Sequence, residues 1–156
     1  MTAAGRGAFA RIALLAMFLG PHPGHATSVS FPGMPYQPGR PLPADTLDAA
    51  IVTDAIWLKR TLDQNLDLSR RLPSVKFQVI GHVDGDECRG GEACEALAHR
   101  RAALFQAALV QSGAPTTRFC APKAAGTPWP SGYSPTEEDR AIARTAYIDP
   151  IFGECP

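Results

Sequence analysis

The hydrophobic pattern changes period along this chain, and each change marks an element. Val75, Phe77, Val79 and Ile80 form a short apolar run that stops at Gly81, which predicts a buried strand. A polar loop of Asp, Glu, Gly and Cys follows, from His82 to about Glu92. An Ala-rich stretch then runs to about Gln111. At about 100° per residue, Cys94, Leu97, Leu104, Phe105 and Ala108 share one face, which predicts an amphipathic helix. Gly113 suits its C-cap, and Pro115 lies just beyond.

Upstream, Leu47, Ile51, Ala55, Leu58, Leu62 and Leu66 recur at helical spacing. They predict one helix from residue 47 to about 72, capped by Asp45 or Thr46 and ended by Pro73. Before it, residues 27–44 are rich in Pro and Gly and read as an extended segment, with a short first strand at 28–31. Downstream, residues 117–121 (TRFCA) predict a strand, and residues 123–133 a loop. Ser134-Pro135-Thr136-Glu137 reads as a helix start, with Ser134 as cap, Pro135 at the first position and Glu137 completing a capping box. That helix runs to about Ala143. Residues 145–149 predict a last strand, ended by Pro150. The order strand–helix–strand–helix–strand–helix–strand predicts an α+β domain with helices packed on one face of a mixed sheet.

Arg101 interrupts the apolar face of the central helix. A guanidinium there keeps its charge and needs an acceptor. One reading has it snorkel to the rim or pair with a structural carboxylate. The other has it face the loop after the strand and hold an anionic ligand, with Asp84 as its neighbour.

The chain has 156 residues, enough for one domain, and a formal net charge of +0, which excludes the basic excess of a nucleic-acid binder. The N-terminus has the order of a secretory signal. Arg6 and Arg11 are basic, and residues 12–19 are apolar but too few to span a bilayer. Gly24-His25-Ala26 places small residues at the cleavage positions, so cleavage is expected after Ala26. All four cysteines, Cys88, Cys94, Cys120 and Cys155, follow that point. An even number behind an export signal argues for disulfides. Of the three possible pairings, Cys88–Cys94 and Cys120–Cys155 are favoured; the first would close the loop that carries Asp84 and the second would tie down the C-terminal tail.

Enzyme chemistry finds little support. Cys94 and His99 are five apart on a helix, and a disulfide would occupy the thiol. No Cys/His spacing suits zinc, and the Gly85, Gly90, Gly91 loop lacks a phosphate-binding signature. No cofactor or metal is expected.

Gly81-His82-Val83-Asp84, followed by Leu97-Ala98-His99-Arg100-Arg101-Ala102, resembles the OmpA C-terminal, peptidoglycan-binding domain. That family shows a strand ending in G-H-T-D and a helix with N-x-x-L-S-x-x-R-A. Val83 stands for the Thr, Cys94 for the Asn and Ala98 for the Ser, while Asp84 and Arg101 match the charged positions. The final strand keeps only Arg144 and Ile148 of the family's N-R-R-V-E-I. The resemblance implies an OmpA-like domain over residues 45–156 that is not an enzyme and binds peptidoglycan in the periplasm, at the cell wall or outer membrane. In it Asp84 and Arg101 would grip the diaminopimelate of the stem peptide, with His82, Val83, Cys94 and Leu97 around them and helix-start amides near Ala93 and Glu95. The alternative is the same fold kept as an envelope protein–protein interaction module, with Asp84 and Arg101 in a structural bridge.

Overall fold

The computed structural model describes residues 30–88, 91–127 and 133–156. The expected signal segment lies outside these residues, as do parts of the 123–133 loop. Among the described residues, four strands form one mixed sheet: β1 (Met34–Pro35), β2 (Lys76–Gly81), β3 (Lys123–Ala124) and β4 (Thr145–Ile151), in the order β1-β4-β2-β3. β2 runs antiparallel to β4 over six residue pairs, from Lys76 opposite Ile151 to Gly81 opposite Ala146, and parallel to β3. The helices are α1 (Leu47–Ala50), α2 (Ala55–Arg71), α3 (Gly91–Gln111) and α4 (Glu137–Ala143). The fold is α+β with a mixed sheet, as the hydrophobic pattern implies.

Period-2 alternation divides β2 and β4. Phe77 and Val79 lie with Ala146 and Ile148 in a core shared with Leu66 of α2 and with Ala102, Phe105 and Leu109 of α3. Gly81 sets how closely α3 approaches. A Cβ there would stand 2.0 Å from the Ala98 carbonyl oxygen, so only glycine lets the strand end lie under the helix. α3 closes with a Schellman turn, in which Gly113 adopts φ 108° and the Ala114 amide donates to the Leu109 carbonyl at 3.0 Å.

Several boundaries differ from expectation. The single helix expected over 47–72 is two. Ile51 leaves the helix and bridges Tyr36 in extended form, and Asp54 then caps α2 by accepting from the Trp57 amide at 2.8 Å. Among the described residues the first strand is Met34–Pro35; the strand expected at 28–31 lies partly outside them, and Ser30 and Phe31 are not in a strand. The Pro-rich segment is extended but packed, with Phe31, Met34 and Tyr36 buried in the core. The strand expected at 117–121 is displaced. Residues Thr116–Arg118 form a 3-10 turn, Phe119 makes one bridge to Phe77, and pairing resumes only at Lys123–Ala124. The turn puts the Arg118 guanidinium on the carbonyls of Leu72 and Val75 and over the Phe77 ring, so it closes the C-terminal end of α2. Thr136, not Ser134, caps α4, with Asp139 rather than Glu137 completing the box. β4 continues through Pro150 to Ile151.

Candidate functional site

The chain leaves β2 at His82 and folds over the face of α3. Val83 and Leu97 are buried with Ala98, and Cys88, Cys94 and Ala124 pack against them. Asp84 caps a short 3-10 turn, Gly85–Glu87, and Glu87 returns its carboxylate to the Asp84 amide at 2.8 Å. This reciprocal arrangement satisfies both ends of the turn. Cys88 is bonded to Cys94 and Cys120 to Cys155, so the turn is stapled to α3 and the C-terminal tail to the segment before β3.

Arg101 is fully buried, at 0% exposure, and its acceptors come from three segments. Its Nη2 and Nη1 donate to the two oxygens of Glu87 at 2.6 and 2.9 Å. The remaining N–H groups donate to the carbonyls of Arg40 (2.8 Å), His82 (2.8 Å) and Gln37 (3.3 Å). A guanidinium has five N–H donors, and all are used. The Tyr36 ring lies 5.4 Å from the guanidinium, and its hydroxyl donates to the Arg101 carbonyl at 2.8 Å. Burial pushes the Glu87 carboxyl up, but the hydrogen bonds and charge of Arg101, with the amides of Gly39 and Asp84, more than offset it. The net effect holds the carboxyl below the usual glutamate range.

The expected partnership of Asp84 with Arg101 is therefore not the one formed. Glu87 stands between them, and the near-buried Asp84 carboxylate turns the other way. It lies 3.3 Å from Arg140 of α4 and 3.7 Å from Arg144. Arg140 also pairs with Asp86, and Arg144 with Glu137 at 2.5 Å. Together with Pro38 these groups line a cleft of about 340 Å³ at the end of the sheet, bearing both signs of charge. His82 is half-buried, stacked on Tyr147 with ring centres 5.3 Å apart and Nδ1 3.1 Å from the Gly126 carbonyl. It does not line the cleft. Nor do Val83, Leu97 and Cys94, which form the apolar floor under the loop. α3 begins at Gly91, so the amides near Ala93 and Glu95 belong to its first turns. Among the described residues no cluster of His, Cys, Asp and Glu suits a metal ion, and no helix is long and apolar enough to cross a membrane.

The sheet order and the helix laid over its central strand recur in solved structures. The peptidoglycan-associated lipoprotein from Burkholderia pseudomallei superposes with TM-score 0.54 at 20% identity, over 76% of this chain and 88% of that one. The fold is OmpA-like. The C-terminal domain of Helicobacter pylori MotB shares this OmpA-like fold at TM-score 0.52 and 18% identity, over 66% of this chain and 78% of that one. So does the cell wall anchor of the T6SS from Pseudomonas aeruginosa, at TM-score 0.50 and 20% identity, over 74% and 76%. Of a longer MotB periplasmic fragment the chain spans 51% of the length. No family model and no curated protein matches the sequence. In this OmpA-like domain Glu87, Arg140 and Arg144 carry the charge pairing that the sequence reading assigned to Asp84 and Arg101 alone. Asp84-x-x-Glu87, at capping-box spacing, was the signal for Glu87.

Proposed function

We propose that this chain is a non-catalytic envelope domain that binds peptidoglycan through the cleft at Asp84. In this reading Asp84 accepts from the ammonium of the diaminopimelate side chain. Arg144, with Arg140, receives the adjacent carboxylate. Arg101 acts from behind, holding Glu87 and with it the turn that carries Asp84. One observation carries the proposal: an OmpA-like fold presents a near-buried carboxylate at the end of β2, facing two guanidinium groups across a cleft. Two similar structures are named for the peptidoglycan they associate with or the cell wall they anchor to. The export-like N-terminus and the two disulfides support a periplasmic setting.

The second reading, an interaction module without peptidoglycan binding, is favoured by one fact. Every donor of Arg101 is taken within the chain. Co-sedimentation separates the two. Oxidised mature protein should sediment with insoluble diaminopimelate-type peptidoglycan, and free diaminopimelate should compete. Asp84→Ala and Arg144→Ala should each weaken binding by about 10- to 100-fold, the range for losing one charged hydrogen bond. A wild-type protein that stays in the supernatant at low salt leaves the interaction module as the function.

A further inference from the structure

The face of the sheet turned away from the helices carries an aromatic pair that the cleft does not use. Along β4, Ala146 and Ile148 point into the core, so Tyr147 and Asp149 point outward. Ile80 of β2 pairs with Tyr147, and His82, the next outward residue along that chain, stacks on the Tyr147 ring with 15° between their planes. His82 therefore covers one face of the ring. The other face looks toward β1, where the register that sets Met34 opposite Ala146 sets Gly33 opposite Tyr147. Glycine leaves the space beside the ring bare, and Tyr147 is 37% exposed. The result is a shelf with Tyr147 as its wall and Gly33 as its floor. The family's final-strand motif has Glu where this chain has Tyr147, so the wall is a departure from that motif.

The polar groups beside the ring are acceptors. His82 Nδ1 lies 3.1 Å from the Gly126 carbonyl and donates to it, which leaves Nε2 of the neutral tautomer as an acceptor. Asp149, the next outward residue of β4, makes no hydrogen bond or ion pair through its carboxylate among the described residues. Burial, and after it the Asp149 carboxylate, pushes the Tyr147 phenol up. An aromatic face flanked by acceptors suits a ligand with C–H groups on its flat sides and hydroxyl donors around its rim. We propose that the Tyr147–Gly33 shelf is a carbohydrate site that takes a pyranose ring of an N-acetylated glycan. An ammonium group is a point charge, and it would sit on Asp149 alone and leave the area of the ring unused. Arg144, at the cleft, is three residues from Tyr147 along the chain, roughly 10 Å in extended form. Diaminopimelate is the third residue of its stem peptide, so about 10 Å of extended chain joins it to its sugar. One polymer therefore reaches both sites. That link rests on the peptidoglycan reading; the carbohydrate shelf does not.

Chitotetraose, fully N-acetylated and free of peptide, tests the shelf by titration into isotopically labelled mature protein. It should bind saturably at millimolar concentration, shift the Tyr147 ring and Gly33 amide resonances, and bind equally at low and high salt. Tyr147→Ala should weaken binding by about 3- to 10-fold, the worth of one aromatic contact, while Tyr147→Phe should retain it. Gly33→Val should weaken binding by a similar factor with the ring still present, because it fills the shelf. A Cβ at Gly33 meets the Ala146 carbonyl oxygen at 3.4 Å and the Tyr147 Cβ at 3.9 Å, both ordinary contacts, so this variant serves if Tyr147→Ala does not fold. Binding that neither substitution weakens overturns the inference. So does binding of glucosamine oligomers in place of N-acetylated ones, which marks an ammonium group as the ligand. Chitotetraose binding without binding of a diaminopimelate tripeptide leaves the shelf standing and removes the peptide reading of the cleft. Tripeptide binding with no response to chitotetraose does the reverse.

Discussion

Replacing Arg101 with Met should be among the most damaging single changes in the core. The substitution keeps an unbranched side chain in the space but deletes the guanidinium. Glu87 is then left 3% exposed with no cation, and three carbonyls on Gln37, Arg40 and His82 lose a donor. Breaking a buried ion pair by removing one partner costs about 3–5 kcal/mol. The abandoned carbonyls add to that figure unless the backbone relaxes. A mature chain of roughly 130 residues shifts its melting temperature by about 3–5 °C per kcal/mol, so a fall of about 10–20 °C is expected. Urea unfolding with both disulfides intact gives the free energy directly. The loss should also depend on pH. In the wild type the Glu87 carboxyl titrates below its ordinary value, so its contribution is present above about pH 4.3 and is lost as pH falls through the folded value. In the variant, burial without a cation pushes the same carboxyl up, so acid relieves the variant. The difference between the two should be largest near neutrality and shrink toward pH 4. A loss under about 1 kcal/mol, constant with pH, is the behaviour of an exposed pair and would refute the reasoning.

Gly81→Ala should destabilise by at least about 1–3 kcal/mol in the same urea assay, because its Cβ would meet backbone at Ala98 rather than a movable side chain. Cys120→Ser with Cys155→Ser opens a loop closed across 35 residues and should lower stability by up to about 4 kcal/mol, with peptide mapping of the parent showing that pair and Cys88–Cys94. N-terminal sequencing of protein from a periplasmic extract should begin at Thr27; an intact Met1 on a membrane-bound product would contradict the export reading.

The segment from β2 through the loop to α3 was legible because each of its signals is local. The apolar run, the Gly81 stop and the Gly113 cap fix their element without help from distant residues. The break at 51–54 was not legible, because Leu47, Ile51 and Ala55 keep helical spacing through it. What ends α1 is a tertiary contact, the bridge from Ile51 to Tyr36. The Pro-rich segment hid its role for the same reason. Its Phe31, Met34 and Tyr36 look like scattered apolar residues until the core exists, and the carbonyls of Gln37 and Arg40 become ligands of Arg101 only in three dimensions. At the site, sequence singled out Arg101 as needing an acceptor, and one does occupy it. Which carboxylate it takes depended on a three-residue turn that points Glu87 inward and leaves Asp84 to Arg140 and Arg144.

The cleft itself can be watched directly by titrating isotopically labelled mature protein with a diaminopimelate-containing muropeptide and following amide and guanidinium resonances. The account predicts saturable shifts centred on Asp84, Asp86, Arg140 and Arg144, lost in Asp84→Ala. Shifts confined to another face, or none at millimolar ligand, would contradict it.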